Sequence, residues 1–194
     1  MELGVAGSLL TALGLSIPAG LNAYIPLLAV ALSQQSGWLE LRPPFDILGE
    51  WWMIAIIAVL LAIEIVADKV PAVDNVNDAI QTFVRPAAGG IVAVAVAGSA
   101  TDVAPWLLVL TGVLLAGGTH AVKATARPIV HVSTAGTGGP VVSTVEDASA
   151  AVLSVVAILA PILVAFVLAG LIYLLWRMWK SRPTAATGSF PRDG

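Results

Sequence analysis

Apolar residues run through this chain in long, nearly unbroken stretches, and the polar positions gather into bands between them. Five such stretches predict helices. The first, Leu3 to Leu32, is long enough for one tilted bilayer crossing, but Ser16-Ile17-Pro18-Ala19-Gly20-Leu21-Asn22 interrupts it. Proline removes a backbone donor and glycine loosens the helix, so a kink or break is expected there. The second runs from Trp51 to Ala67. The third, Ala79 to Ala100, contains Arg85-Pro86 and Gly89-Gly90, and the fourth covers Pro105 to Val122. The fifth, Ala148 to Trp176, holds Pro161 and exceeds what an upright crossing requires, so it should tilt, kink or protrude.

Composition turns these helices into membrane spans. The 194 residues are 58% hydrophobic and 11% charged, with mean hydropathy +0.95. Soluble domains average about 45–50% apolar and about 25% charged residues, and a span needs roughly 20 apolar residues. The fold class is therefore all-α: a polytopic transmembrane bundle of five or six membrane segments, at least one broken or re-entrant. It is expected over residues 1–180. The tail, residues 181–194, has no apolar period and should be disordered. Trp38, Trp51, Trp52, Trp106, Trp176 and Trp179 fall near the ends of the stretches, at the headgroup level where indoles settle. Arg177, Lys180, Arg182 and Arg192 follow the last stretch and argue for a cytoplasmic C-terminus. The Met-Glu-Leu-Gly start lacks the positive flank of a signal peptide, so the first stretch is expected to persist in the mature protein.

Charge and cysteine usage exclude several functions. The net charge is −3, with no basic face, so nucleic acid is not an expected partner. The absence of cysteine removes disulfides, thiolate metal sites and iron–sulfur ligation. His120 and His131 lack the spacing of a helical zinc pair, and no serine nucleophile elbow is present. Neither enzyme activity, nor a metal, nor a cofactor is expected.

The candidate chemistry lies in two polar bands. In the first, Glu64 and Asp68 are four apart and share a helical face. Pro71 should end or bend that helix. Asp74 and Asp78 repeat the spacing, Asp74 or Asn75 is a candidate N-cap for the next span, and Arg85 lies two turns past Asp78. Lys69 is the nearby cation, with Arg85 the other candidate partner for Glu64. In the second band, His120, Lys123 and Arg127 are spaced to share one face, and the band ends in Glu146-Asp147. The Gly136-Thr137-Gly138-Gly139 turn could offer backbone donors to an anion. Each band has two readings: an ordinary polar connection at the membrane surface, or the lining of an ion or solute path.

The third and fourth spans separate the bands, and two crossings return the chain to the same side. Acids Glu64, Asp68, Asp74 and Asp78 could therefore meet His120, Lys123 and Arg127 over one cavity. The Pro18-Gly20-Asn22 break would then supply backbone groups deeper in the membrane, which is tolerated where protein or water surrounds them. A broken helix beside buried ionisable groups is a transporter-like pattern. Internal echoes, Val76-Asn77-Asp78-Ala79 with Val145-Glu146-Asp147-Ala148 and Gly14–Pro26 with Gly117–Pro128, raise the alternative of a duplication.

In Gly20-Leu21-Asn22-Ala23-Tyr24, Glu64, Asp68-Lys69-x-Pro71-x-x-Asp74, Asp78, Arg85-Pro86, Thr119-His120, Lys123, Arg127 and Glu146-Asp147, the chain resembles an uncharacterised family of small bacterial integral membrane proteins catalogued as a domain of unknown function. The resemblance covers nearly everything but the tail. It implies a compact helical membrane protein and supplies no substrate.

The leading functional expectation is a small transporter or channel-like protein that moves an ion or a small polar or anionic solute. A homo-oligomer is expected from size and from the small residues of Gly89–Gly98, which permit close helix packing. Two alternatives stand beside it: an accessory or scaffold subunit of a larger membrane complex, and a protein handling anionic lipid with Lys123 and Arg127 on the headgroup phosphate.

Overall fold

The computed structural model describes residues 4–98, 100–134 and 138–180. Among them there is no strand. Seven α-helices follow one another: α1 (Val5–Ala19), α2 (Tyr24–Gln35), α3 (Trp51–Ala67), α4 (Pro71–Ala97), α5 (Pro105–Ser133), α6 (Gly139–Leu159) and α7 (Pro161–Lys180). A 3-10 turn over Phe45–Gly49 precedes α3. Segments of α4 (Val76–Ala97) and α5 (Pro105–Val130), and all of α6, are long and apolar enough to cross a membrane, whereas α1, α3 and Pro161–Gly170 are shorter apolar helices.

The first apolar stretch is broken in two, α1 ending at Ala19 and α2 opening at Tyr24. Pro18 stays inside the last turn of α1; the break itself is Gly20–Ala23. Three expected boundaries move. Pro71 does not end α3, which stops at Ala67. It opens α4 instead, at a position where a missing N–H would be unpaired anyway, so neither Asp74 nor Asn75 caps a helix beginning at Ala79. The fourth stretch runs on as α5 through the second polar band to Ser133, so most of that band is helix rather than loop. The fifth stretch is two helices. Ala160 leaves helical geometry (φ −140°, ψ 62°) before Pro161, as the steric demand of proline on its predecessor requires.

Helix ends sort into two levels. Val5, Arg42, Gly98 and Asp102 line one cavity, which puts the start of α1, the end of α4 and the approach to α5 together. The end of α2 joins them, because Gln34 Oε1 accepts from the Leu41 N–H at 2.7 Å. Hence α1 and α2 form a hairpin whose open end lies at this level and whose tip, Gly20–Ala23, points to the other. Exposed Trp51, Trp52 and Trp106 mark the open end.

Helix α4 is the centre of the bundle, packed on α5 and α1. Its small residues let the backbones close up. A Cβ on Gly89 would stand 2.5 Å from Ala116 Cβ and 2.6 Å from the Gly112 carbonyl. Val92 through Ala97 are all buried. The Gly89–Gly98 run, expected to serve contact between copies, is therefore largely consumed by packing within the chain, where van der Waals fit drives association of helices in lipid. The outer surface stays apolar along the whole length: Phe83, Val122, Ile129 and Val145 are exposed, although they flank the polar residues described next.

Candidate functional site: an ion network at a helix break

Four helices and the α1–α2 tip bring ionisable side chains to one place. The spacing of Asp78, Gln81, Thr82 and Arg85 puts them on one side of α4. His120, Lys123 and Arg127 occupy one face of α5, all three buried. Glu64 and Asp68 close α3, and Ser143, Glu146 and Asp147 come from the first turns of α6.

Arg85 is fully buried and holds the deepest pairs. Its Nη2 donates to Glu64 Oε1 at 3.0 Å, and its Nη1 to His120 Nδ1, also at 3.0 Å. Asp78 Oδ1 and Asp68 Oδ2 lie 3.7 and 3.8 Å away. Arg127 bridges three carboxylates: Nη1 to Asp78 Oδ2 at 3.0 Å, and Nη2 to Asp68 Oδ2 and Glu146 Oε2, each at 3.2 Å. Lys123 Nζ reaches Glu146 Oε2 at 2.9 Å and Asp68 Oδ2 at 3.6 Å. Asp68 is the hub, since it also accepts from Asn77 Nδ2 and, at 3.5 Å, from Ser143 Oγ.

The helix break is stitched into this network. Lys123 Nζ donates to the Leu21 carbonyl at 3.0 Å. Asn22 Oδ1 accepts from the Tyr24 and Ile25 N–H groups, capping the start of α2. The same side chain donates through Nδ2 to Asp147 Oδ1 at 2.9 Å, and Lys69 Nζ lies 3.6 Å from Asp147 Oδ2. Gly20 permits the approach: a Cβ there would run into the Ala116 carbonyl and the Thr119 side chain. One carbonyl freed by the break, that of Leu21, thus finds its partner on α5, and two N–H groups find theirs on Asn22, as a low-dielectric setting demands.

Depth follows from helix geometry. Glu64 is about 20 Å along α3 from Trp51, and His120 about 21 Å along α5 from Trp106, at about 1.5 Å per residue. A hydrocarbon core about 30 Å thick would place both below the opposite interface. Exposure of the side chains is graded toward that interface: Lys69 35%, Asp78 24%, Glu146 14%, Arg85 0%. Between α3 and α4, burial acts to raise the Asp68 carboxyl, but Lys123, Arg127 and Arg85, with the Asn77 hydrogen bond, outweigh it and hold the group below the usual aspartate value.

Not every polar atom is satisfied. Glu64 Oε2, Asp78 Oδ1, Gln81 Oε1 and Arg85 Nε are buried without a hydrogen-bond partner among the described residues. Such atoms cost about 1–3 kcal/mol each when left dry. They belong to Arg85 itself, to its ion partners Glu64 and Asp78, and to Gln81 one turn before it on α4.

The structure brings together Asn22, Glu64, Asp68, Lys69, Asp78, Arg85, His120, Lys123 and Arg127, nine of the residues that the sequence singles out. Glu64 pairs with Arg85 rather than with Lys69. The side chains of Asp74 and His131 lie outside the described residues, as do Gly136-Thr137 of the proposed anion turn and the whole tail. The sequence reading undervalued Glu146 and Asp147 and passed over Gln81, Thr82 and Ser143. Their signal was periodicity: Gln81 falls between Asp78 and Arg85 on the same face. Among the described residues, no three acidic or histidine side chains are grouped to hold a metal ion.

The chain belongs to the family described as a domain of unknown function (DUF4126), whose profile matches residues 9–181. No curated protein and no solved structure matches it.

Proposed function

We propose that this member of the family is a small multi-pass transporter of the bacterial cytoplasmic membrane, moving an ion or a small polar or anionic solute through the charged network. Helices α4, α5 and α6 cross the bilayer, and the α1–α2 hairpin brings its tip to the network. Arg177 and Lys180 in the last turn of α7 support a cytoplasmic C-terminus. The observation that carries this reading is the graded burial of a two-sign ion network, from half-exposed Lys69 to wholly buried Arg85, inside an apolar outer shell. A charge in that setting is expensive unless it is paired or wet, and a network of interchangeable pairs lets an arriving ion replace one partner at a time.

The test is flux in vesicles reconstituted with the full chain, screened over protons, alkali cations, halides and small organic anions. Glu64→Gln and Arg127→Gln should abolish flux in variants that still elute as folded protein, with the loss of stability that stranding a buried partner brings. Loss of folding in both variants without any wild-type flux would refute the reading.

An accessory or scaffold role is the second reading, favoured by one observation: the network's cations are already paired with carboxylates of the same chain. Gentle detergent extraction would then recover a stoichiometric partner. The lipid-handling reading is weaker, because a headgroup phosphate would have to displace Glu146 from both Lys123 and Arg127.

A further inference from the structure

Hydrogen-bond direction fixes the state of one residue in the network. A guanidinium has only donors, so the 3.0 Å contact from Arg85 Nη1 requires a lone pair on His120 Nδ1. His120 is therefore the neutral tautomer protonated at Nε2. That nitrogen lies 3.1 Å from Thr82 Oγ1, which accepts its proton and passes its own hydroxyl proton to the Asp78 carbonyl at 2.8 Å. The chain of donors runs one way and leaves no room for a second proton on the ring.

Charge supplies an independent reason for that proton to arrive. Among the described side chains of the network, Glu64, Asp68, Asp78, Glu146 and Asp147 face four fixed cations, Lys69, Arg85, Lys123 and Arg127. With all five carboxylates ionised the described side chains carry one excess negative charge, which a proton on either His120 or Glu64 would cancel. Around the ring stand Arg85 and Asp78 of α4 and Lys123 and Arg127 of α5, with the Arg85 guanidinium in direct contact at 3.0 Å. Glu64 and Asp68 of α3 lie across Arg85, Glu146 of α6 is reached through Lys123, and the α1–α2 tip presents the uncharged Gly20 backbone.

We infer that His120 is a proton-binding site that works as a latch: a proton entering at Nδ1 breaks the Arg85 contact and swings the guanidinium wholly onto Glu64. Acceptors for both products are in place. Glu64 Oε2, buried and unpartnered among the described residues, completes a two-pronged pair with Arg85, and Asp78 Oδ1, in the same condition, receives the new N–H of the ring. The N–H···N bond breaks together with the 3.7 Å Arg85–Asp78 ion pair, Asp78 gaining the imidazolium in exchange, and the proton taken from water remains on the imidazole. This inference rests on the transport reading for its use, the proton being the ion that resets the site, and not for its chemistry.

The test uses the full chain in lipid nanodiscs, 15N-labelled at histidine and arginine, with His131→Gln to leave one ring. At neutral pH the ring should show a protonated Nε2 and a bare Nδ1. Between about pH 8 and pH 5, the range in which histidine titrates, both nitrogens should become protonated, and the Arg85 side-chain resonances should move in the same transition. A ring protonated at Nδ1 at neutral pH overturns the inference. So does an acid transition that leaves Arg85 unmoved, or no transition at all. The wild-type His120 ring is itself measured, so the result does not depend on a fragile variant. Flux separates the two claims. A latch that titrates in a protein showing no flux for any solute sinks transport and leaves the proton site; flux whose pH dependence survives His120→Gln sinks the coupling and leaves transport.

Discussion

Helices α4 and α5 meet in two different ways along one shared interface. Toward the tryptophan end, Gly89, Gly90 and Gly112 bring the two backbones into direct contact, with no charge between them. Toward the other end the same helices are held by Arg85, Asp78, His120, Lys123 and Arg127, side chains that pair between the two helices and also reach Glu64 of α3 and Glu146 of α6. Backbone packing has a single solution, since a close-packed contact cannot slide without collision. An ion network has several, because each cation already lies near more than one carboxylate. One half of the interface is a fixed hinge plate and the other a set of exchangeable pairs. That division is what a site needs if it is to change partners without losing its fold.

Substitutions can break the comparison from either side. The largest expected effect is Arg85→Gln. It strands Glu64 and part of Asp68 in a buried setting, and stranding one partner of a buried pair costs about 3–5 kcal/mol. Denaturant unfolding in mixed micelles should show that loss, with a partial rescue when Glu64→Gln is added. Next is Gly89→Val. Its side chain meets Ala116 and the Gly112 carbonyl, and overpacking of this kind costs about 1–3 kcal/mol. Here no second substitution in the network should compensate, which a double-mutant cycle with Glu64→Gln would check. Asn22→Ala is smaller, at about 1 kcal/mol for the lost cap; it should loosen the α1–α2 tip selectively, seen as faster amide exchange at Tyr24 and Ile25.

The smallest effect is a pH dependence. Asp68 is held below the usual aspartate value in the folded chain, so the stability it adds is complete above that value and disappears as the pH falls through the lowered one. Wild type should outlast Asp68→Asn in thermal melts at neutral pH, and the gap should close in acid. A gap constant down to the acid limit would mean that Asp68 acts by shape alone.

Much of this was legible in the residues. The helix break at Gly20–Asn22, the shared face of His120, Lys123 and Arg127, and the meeting of the two bands all follow from spacing and from an even number of crossings. The misreadings share one cause. Pro71 is expected to end or bend its helix and the fourth stretch to stop at Val122, yet α4 opens on Pro71 and α5 continues through Pro128 to Ser133. Tertiary ion pairs hold polar residues in helical form where local propensity would release them. The weight of Glu146 and Asp147 was hidden for the same reason, since acids at the start of an apolar run look like ordinary helix-start residues until Lys123 and Arg127 arrive from another helix. Residues of the Gly89–Gly98 run pack against α5 of the same chain, which the sequence could not specify, because small residues that permit close packing do not say whether the partner is the same chain.

The central claim is that the network opens to water from one face while apolar residues around it face lipid. The chain has no cysteine, so single substitutions report cleanly. Asn77→Cys and Lys69→Cys, in vesicles treated with a membrane-impermeant thiol reagent, should be modified from one side only, whereas Phe83→Cys and Val122→Cys on the apolar outer flank should stay unmodified. Equal silence at all four positions, or modification of the outer pair alone, would contradict the account.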